Sequence, residues 1–143
     1  MLLKGRCKIT AIIYDGKTIA ADRRMTRDDR ISGEMKKIHK WSDGYWAAAG
    51  RLDDACEFAD WLEDRTYKFK PHTGFQAVYS ESGRVYEILR SLIPMPALAP
   101  LGIGSAGTDC ELLVRLGYTG KEAIEAVKKV HPTVGGKIDV VTI

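Results

Sequence analysis

Ile9–Arg24 reads ITAIIYDGKTIAADRR. Two runs of apolar and β-branched residues, Ile9–Tyr14 and Lys17–Ala21, flank Asp15-Gly16. An Asp-Gly pair tolerates the positive φ of a tight turn, so the stretch predicts a β-hairpin. In the first run Ile9, Ala11 and Ile13 alternate with Ile12 and Tyr14, so apolar side chains leave the strand on both sides. Both faces of that strand are therefore expected to be covered by protein. Thr10 stands near the start of the first strand and Asp22 at the end of the second. Folding about Gly16 would bring this hydroxyl and carboxylate together at the rim of a buried sheet. By itself that is a weak signal of chemistry, because threonine is an ordinary strand residue.

Downstream, residues 23–34 are charge-dense, with Arg23, Arg24, Arg27 and Arg30 among Asp28 and Asp29. Mixed signs favour a solvated loop over a basic binding patch. Met35–Trp41 and Tyr45–Ala49 predict a second hairpin. Its return strand carries Ala47, Ala48 and Ala49, which leave space that another backbone or a ligand would fill. Asp53 is expected to cap a helix to about Arg65, with Ala55, Phe58, Ala59 and Leu62 on one face. After the basic connector Thr66–Gly74, Phe75–Tyr79 and Arg84–Leu89 form a third hairpin, and the Pro-rich segment Ser91–Pro100 a surface loop.

Leu101–Gly107 (LGIGSAG) reads as a short strand running into a turn. Thr108 with Glu111, and Thr119 with Glu122, predict two helices opened by capping boxes. The first should stop at Gly117. The second should bury Ala123, Ala126, Val127 and Val130 and end before Pro132. Lys137–Ile143 is a last strand. Hairpins covered on both sides, with helices in two groups, predict two sheets sandwiched between helical layers.

At 143 residues the chain is one domain's worth of protein, and 45% hydrophobic with 29% charged residues fits neither a membrane span nor a disordered chain. A net charge of +3 makes no case for nucleic acid. Cys7, Cys56 and Cys110 match no zinc pattern or disulfide framework, which favours a reducing cytoplasm. MLLKGRCKI has no apolar core of a signal peptide. His39, His72 and His131 share no ligand spacing, and GIGSAG lacks the lysine of a P-loop, so neither metal nor other cofactor is assigned.

Four pieces line up in order: TAIIYDGKTIAAD (Thr10–Asp22), MKKI (Met35–Ile38), WAAAGRLDDA (Trp46–Ala55) and GIGSAG (Gly102–Gly107). Each alone is weak. Together they resemble the proteasome β-subunit/HslV group of N-terminal-nucleophile hydrolases, most closely its short phage-encoded members, from about Ile9 to Ile143. The resemblance implies an α+β fold, a four-layer αββα sandwich. It also implies a threonine-type peptidase, in a homo-oligomeric ring in the cytoplasm, with unfolded protein or peptide as substrate and an unfoldase ATPase as possible partner. By the same resemblance Thr10 is the nucleophile, Asp22 and Lys37 are the acid and the catalytic lysine, Ala47 supplies the oxyanion-binding N–H, and Ser105 steadies the nucleophile's amino group.

The chemistry wants these residue types. A threonine hydroxyl is a poor nucleophile until a base takes its proton. A free α-amino group, with a pKa of about 7.7–8.0, can be that base. A lysine cation lowers the amine's pKa and favours the developing alkoxide, and an aspartate keeps the lysine charged and oriented. Cys7 competes with Thr10 for the role of nucleophile. An even spacing from Asp22 around a symmetric turn favours Thr10, and a bulge would rescue Cys7.

The sequence departs from the family in three places. Met1–Ile9 precede Thr10 as an extension or propeptide, leaving 10–143 as the hydrolase domain, and Ile9 stands where a propeptide usually ends in glycine. His131 and Val134 stand where an Asp and a Ser precede the Gly-Gly of proteasome subunits. The helix expected after Arg65 is missing. Two main readings remain open: a peptidase activated by release of Thr10, or an unprocessed, catalytically silent homologue acting as an assembly or binding module. A third keeps the chemistry but directs it at a small amide.

Overall fold

The computed structural model describes residues 7–9, 11–27 and 30–143, of residues 7–9 and 27 the backbone alone. Thr10 lies outside the described residues, as do Asp28 and Asp29. The Ile9–Arg24 hairpin forms β2 (Ile12–Tyr14) and β3 (Thr18–Asp22), with Ile12 opposite Ala21 and Ile13 opposite Ala20. Gly16 turns at φ 101°. Asp15 holds the turn: its carboxylate accepts from the Lys17 N–H at 3.0 Å, the Thr18 N–H at 2.8 Å and the Thr18 hydroxyl at 3.0 Å. A fourth donor comes from far along the chain, the Gly120 N–H at 2.8 Å.

β2 and β3 are flanked by β11 (Leu101–Ile103) and β12 (Ile138–Thr142), giving an antiparallel sheet in the order β11-β2-β3-β12. A second sheet runs β10-β9-β8-β7-β6, from β6 (Ile38–Trp41), β7 (Gly44–Ala49), β8 (Gln76–Glu81), β9 (Arg84–Leu89) and β10 (Met95–Pro96). The helices are α1 (Leu52–Glu63), α2 (Gly107–Arg115) and α3 (Gly120–Lys128).

Strand alternation sorts the buried residues into three slabs. Ile12, Ile19 and Ala21 meet Ile38, Ala47 and Val78 between the two sheets. Ala11, Ile13 and Ala20 face the opposite way, onto Ala123, Ile124 and Val127 of α3 and Cys110 of α2. Trp46, Ala48 and Tyr79 pack on Phe58, Trp61 and Leu62 of α1. Three slabs between four layers make an αββα sandwich, as expected. No helix fills Asp64–Gly74, also as expected.

Several local expectations are corrected. Residues 23–34 are not a loop: β4 (Arg24–Arg27) and β5 (Arg30–Glu34) pair with each other, and β4 also pairs with β1 (Cys7–Ile9). Charges on both strands hid an alternation in which Thr26 is buried. Asp53 does not cap α1: Arg51 holds the cap position and binds the Asp53 carboxylate at 3.0 and 2.9 Å. Thr108 does not cap α2, which starts a residue earlier; Glu111 instead accepts from the Gly102 N–H at 2.8 Å. The Thr119–Glu122 box does open α3. Val130 lies beyond the end of α3 and is 83% exposed. The Pro-rich segment contributes β10, an edge strand where a proline costs no ladder bond.

Asp15 ties the hairpin to α3. Asp15→Ala is expected to lower stability by about 1–2 kcal/mol, the scale of a lost cap, as read from urea unfolding. Burial works against the Asp15 charge, but hydrogen bonds from Gly120, Lys17 and Thr18 outweigh it and lower its pKa. Its contribution is therefore present above the unfolded pKa of about 3.9 and lost as pH falls through the lower folded value. The alanine variant should show a shallower loss of stability in acid over that window.

Candidate active site

β3 ends at Asp22, which is fully buried. Its Oδ1 accepts from Lys37 Nζ at 2.6 Å, and its Oδ2 from the Gly135 N–H at 3.0 Å. Lys37 lies just before β6, in the facing sheet, and neither side chain of the pair is exposed to solvent. The pair thus joins the two sheets at one end of the sandwich. Burial lowers the Lys37 pKa, and the charge and hydrogen bond of Asp22 pull it back upward. An ammonium has three N–H donors, and Asp22 Oδ1 takes one.

The Gly135 contact was not foreseen from the sequence, in which Gly135-Gly136 was matched only to the Gly-Gly of proteasome subunits. The Gly135 carbonyl accepts from both the Arg23 and the Arg24 N–H, at 3.2 and 3.0 Å, while its own N–H holds Asp22. A Cβ on Gly135 would collide with the Arg24 guanidinium, which reaches the Pro132 carbonyl at 3.0 Å. An alanine there would have to move the flexible end of that side chain rather than backbone.

Ser105 lies in the turn after β11, whose last residue Ile103 opposes Ile12. The turn is therefore at the end of the sheet where β2 begins. Asp22 is at the same end, its N–H donating to the Ala11 carbonyl at 3.3 Å. Ser105 is exposed. The turn needs its glycines: a Cβ on Gly102 would collide with the Gly107 carbonyl, so β11 and the start of α2 cross backbone to backbone.

Ala47 is fully buried between the sheets, opposite Ile38 on one side and Val78 on the other. The Tyr45 N–H donates to Ser80 Oγ, toward β8, at 2.9 Å. Alternation turns the Ala47 N–H the same way and that of Ala48 toward β6. Because β6 ends at Ile38, opposite Ala47, the Ala48 N–H faces the ladder's open end beside Lys37.

The register bears on the nucleophile as well. In the β2/β3 ladder opposed residues lie an odd number apart, and the β1/β4 ladder, with Ile9 opposite Met25, is out of step with it by one residue. An even spacing from Asp22 therefore gives no preference for Thr10 over Cys7. Cys110 is a different thiol: burial, with the nearby acidic charges, pushes it up to about 12, too high for a nucleophile at neutral pH.

A cavity of about 360 Å³ adjoins Lys37, lined by Met35, His39, Trp46, Ala48, Cys56 and Ala59 among others. Burial, then the Lys36 charge, lowers the His39 pKa, which keeps that wall neutral. Its ring lies 4.7 Å from that of Trp46. Of the three alanines read as leaving space, only Ala48 faces this cavity. On the far side of α1, Asp53, Asp54 and His72 come together. Arg51 already holds Asp53, and buried Asp54 accepts from the His72 N–H and Nδ1, each at 2.9 Å. These bonds pin the connector to α1.

No protein-family model and no curated protein matches the sequence. Solved structures do. HslV from Trypanosoma brucei superposes with a TM-score of 0.70 at 19% identity, over 93% of this chain and 98% of that one. BPH of Thiobacillus denitrificans gives 0.65 at 13% identity, over 93% and 96%. Anbu from Pseudomonas aeruginosa, solved as a helical assembly, gives 0.65 at 12%, over 94% and 81%. At these identities the likeness is one of fold: the chain has the four-layer αββα fold of the N-terminal-nucleophile hydrolases.

Proposed function

We propose that this chain is a threonine-type peptidase subunit that hydrolyses peptide bonds once Thr10 has become its first residue. The observation that carries the reading is the fully buried Lys37–Asp22 pair at the end of the sheet where β2 begins. Burying an ion pair away from water is costly and often adds nothing to stability. A cation held there suits a site where negative charge develops. HslV, BPH and Anbu share the fold.

In this mechanism the Thr10 hydroxyl attacks the scissile carbonyl and its proton passes to the Thr10 α-amino group. Lys37 stabilises the forming alkoxide and keeps the amine in its neutral form. Asp22, itself held by the Gly135 N–H, keeps Lys37 in place, and Ser105 steadies the amine. The oxyanion draws on the backbone of β7, where Ala48 rather than Ala47 offers an N–H toward the open side. Collapse of the tetrahedral intermediate expels the amine product with the proton from Thr10. Water then hydrolyses the ester by the same route and restores the threonine. The cavity beside Lys37 receives an uncharged side chain of the substrate. Copies of the chain assemble into a ring in the cytoplasm, and an unfoldase ATPase delivers unfolded protein to it.

The test is turnover of a fluorogenic peptide panel by protein whose intact mass shows a chain beginning at Thr10. Thr10→Ala in that chain should abolish turnover, and unchanged activity would refute the assignment. A second reading has its own support: Cys7–Ile9 form a strand with β4, as a homologue that keeps its leader would need. An intact mass beginning at Met1 in protein made from the native gene, with no turnover, favours that silent module.

A further inference from the structure

An open strand edge invites pairing with another chain, and proteins blunt such edges with charges, proline, bulges or brevity. Most edges of this molecule are closed in those ways. β1 has three residues, lies along β4 and passes beside β7. β5 carries Arg30 and Glu34, and its register against β4 slips at Met25/Thr26. β10 has two residues, one of them Pro96, and β6 carries the exposed Lys40. β11 turns the Gly102 N–H away from β2, where Glu111 of its own chain caps it at 2.8 Å. β12, the other edge of that sheet, is different. Its one charged residue, Asp139, is neutralised by Arg23 at 2.7 and 2.8 Å. Ile19–Asp22 of β3 are all buried, whereas no residue of the adjoining β12 is, and Val140 at its middle is 41% exposed.

The Ile143 N–H donates to the Lys17 carbonyl at 2.9 Å and so faces β3. Directions reverse at each residue, so Asp139 and Val141 also face β3. Ile138, Val140 and Thr142 therefore turn their N–H and C=O outward, where no strand among the described residues meets them. We propose that β12 is a dimerisation edge, paired antiparallel with β12 of a second copy about a two-fold axis at Val140. Ile138 then lies opposite the second copy's Thr142, and Val140 opposite its own counterpart. In that register every outward N–H of one copy meets an outward C=O of the other, and two four-stranded sheets become one. The outward set is its own complement, which is why the occupant is a second copy. The axis sets valine against valine and puts no like charges opposite each other. α3 packs on β12 and still leaves Val140 exposed; the second copy covers it. Such an isologous contact pairs copies without closing a ring, so it is separate from the contacts of the ring proposed above. It holds whether or not the chain cleaves peptides.

The test is the molar mass of the full chain at high micromolar concentration, by light scattering, for the unaltered protein, Val140→Pro and Val140→Lys. Proline removes an outward N–H that the protomer's own ladder does not use, and lysine sets two cations against each other on the axis. Each variant should have half the mass of the unaltered chain. The Ile138 and Thr142 amides should exchange about tenfold or more faster in Val140→Lys than in the unaltered chain, while those of Val141 and Ile143 keep their protection. A one-protomer mass for the unaltered chain, or a mass that neither substitution changes, overturns the proposal. Should Val140→Pro unfold, Val140→Lys and the exchange rates decide. A Thr142 amide that is no slower in the unaltered chain than in Val140→Lys overturns it. So does protection of Thr142 that appears only when an unrelated extended peptide is added, which would give the edge to another partner.

Discussion

Replacing Lys37 by alanine in a chain that begins at Thr10 is expected to lower peptide turnover by roughly a thousandfold or more, on the scale of general-base and oxyanion contributions. The same change should cost about 3–5 kcal/mol of stability, because it leaves the Asp22 carboxylate buried without its cation. The Gly135 N–H would then be its remaining partner among the described residues. The two effects separate in a double variant. Lys37→Met with Asp22→Leu replaces the pair by apolar groups of similar size, so most of the stability should return, as buried ion pairs exchanged for hydrophobic contacts often show. Activity should not return. A double variant that is both stable and active would mean that the pair serves the fold alone. Thermal unfolding and turnover on the same preparations give both answers.

The second large effect concerns the nine residues before Thr10. A chain beginning at Thr10 is expected to turn over a fluorogenic peptide about a hundred- to ten-thousandfold faster than the chain beginning at Met1, the range of a general base. The reason is one bond. While Ile9 acylates the Thr10 nitrogen, that nitrogen is an amide and cannot take the hydroxyl's proton. Lys37 is held for another task, its Nζ engaged by Asp22 Oδ1 at 2.6 Å. Equal rates from the two chains would remove the amine from the mechanism. Activity that survives Thr10→Ala but not Cys7→Ser would move the nucleophile to Cys7.

Much of the sandwich was readable because the decisive hairpin follows local rules. Apolar residues at both parities of Ile9–Tyr14 say that a strand is covered on both sides, and Asp15-Gly16 names the turn. The contact between Asp22 and Lys37 was not local. It came from a family resemblance, and the fold brings the two side chains to 2.6 Å. Residues 23–34 were misread because their charges lie on a small ribbon rather than on the sandwich. Thr108 was misread as a cap because Thr-x-x-Glu also occurs where Glu111 has another duty, the Gly102 N–H.

By itself the sequence determined the elements whose pattern is written in a few adjacent residues: the first hairpin, the Thr119–Glu122 cap, the stop at Gly117, and the polar residues waiting at strand ends. Tertiary structure alone decided that Gly135 clamps Asp22 from the far end of the chain, that Ala48 rather than Ala47 turns its N–H to the open side, and that β1 lies between β4 and β7. The physical reason is register. Side-chain and backbone directions in a sheet reverse with every residue. A slip of one residue between two ladders, invisible in the sequence, therefore changes what each group faces.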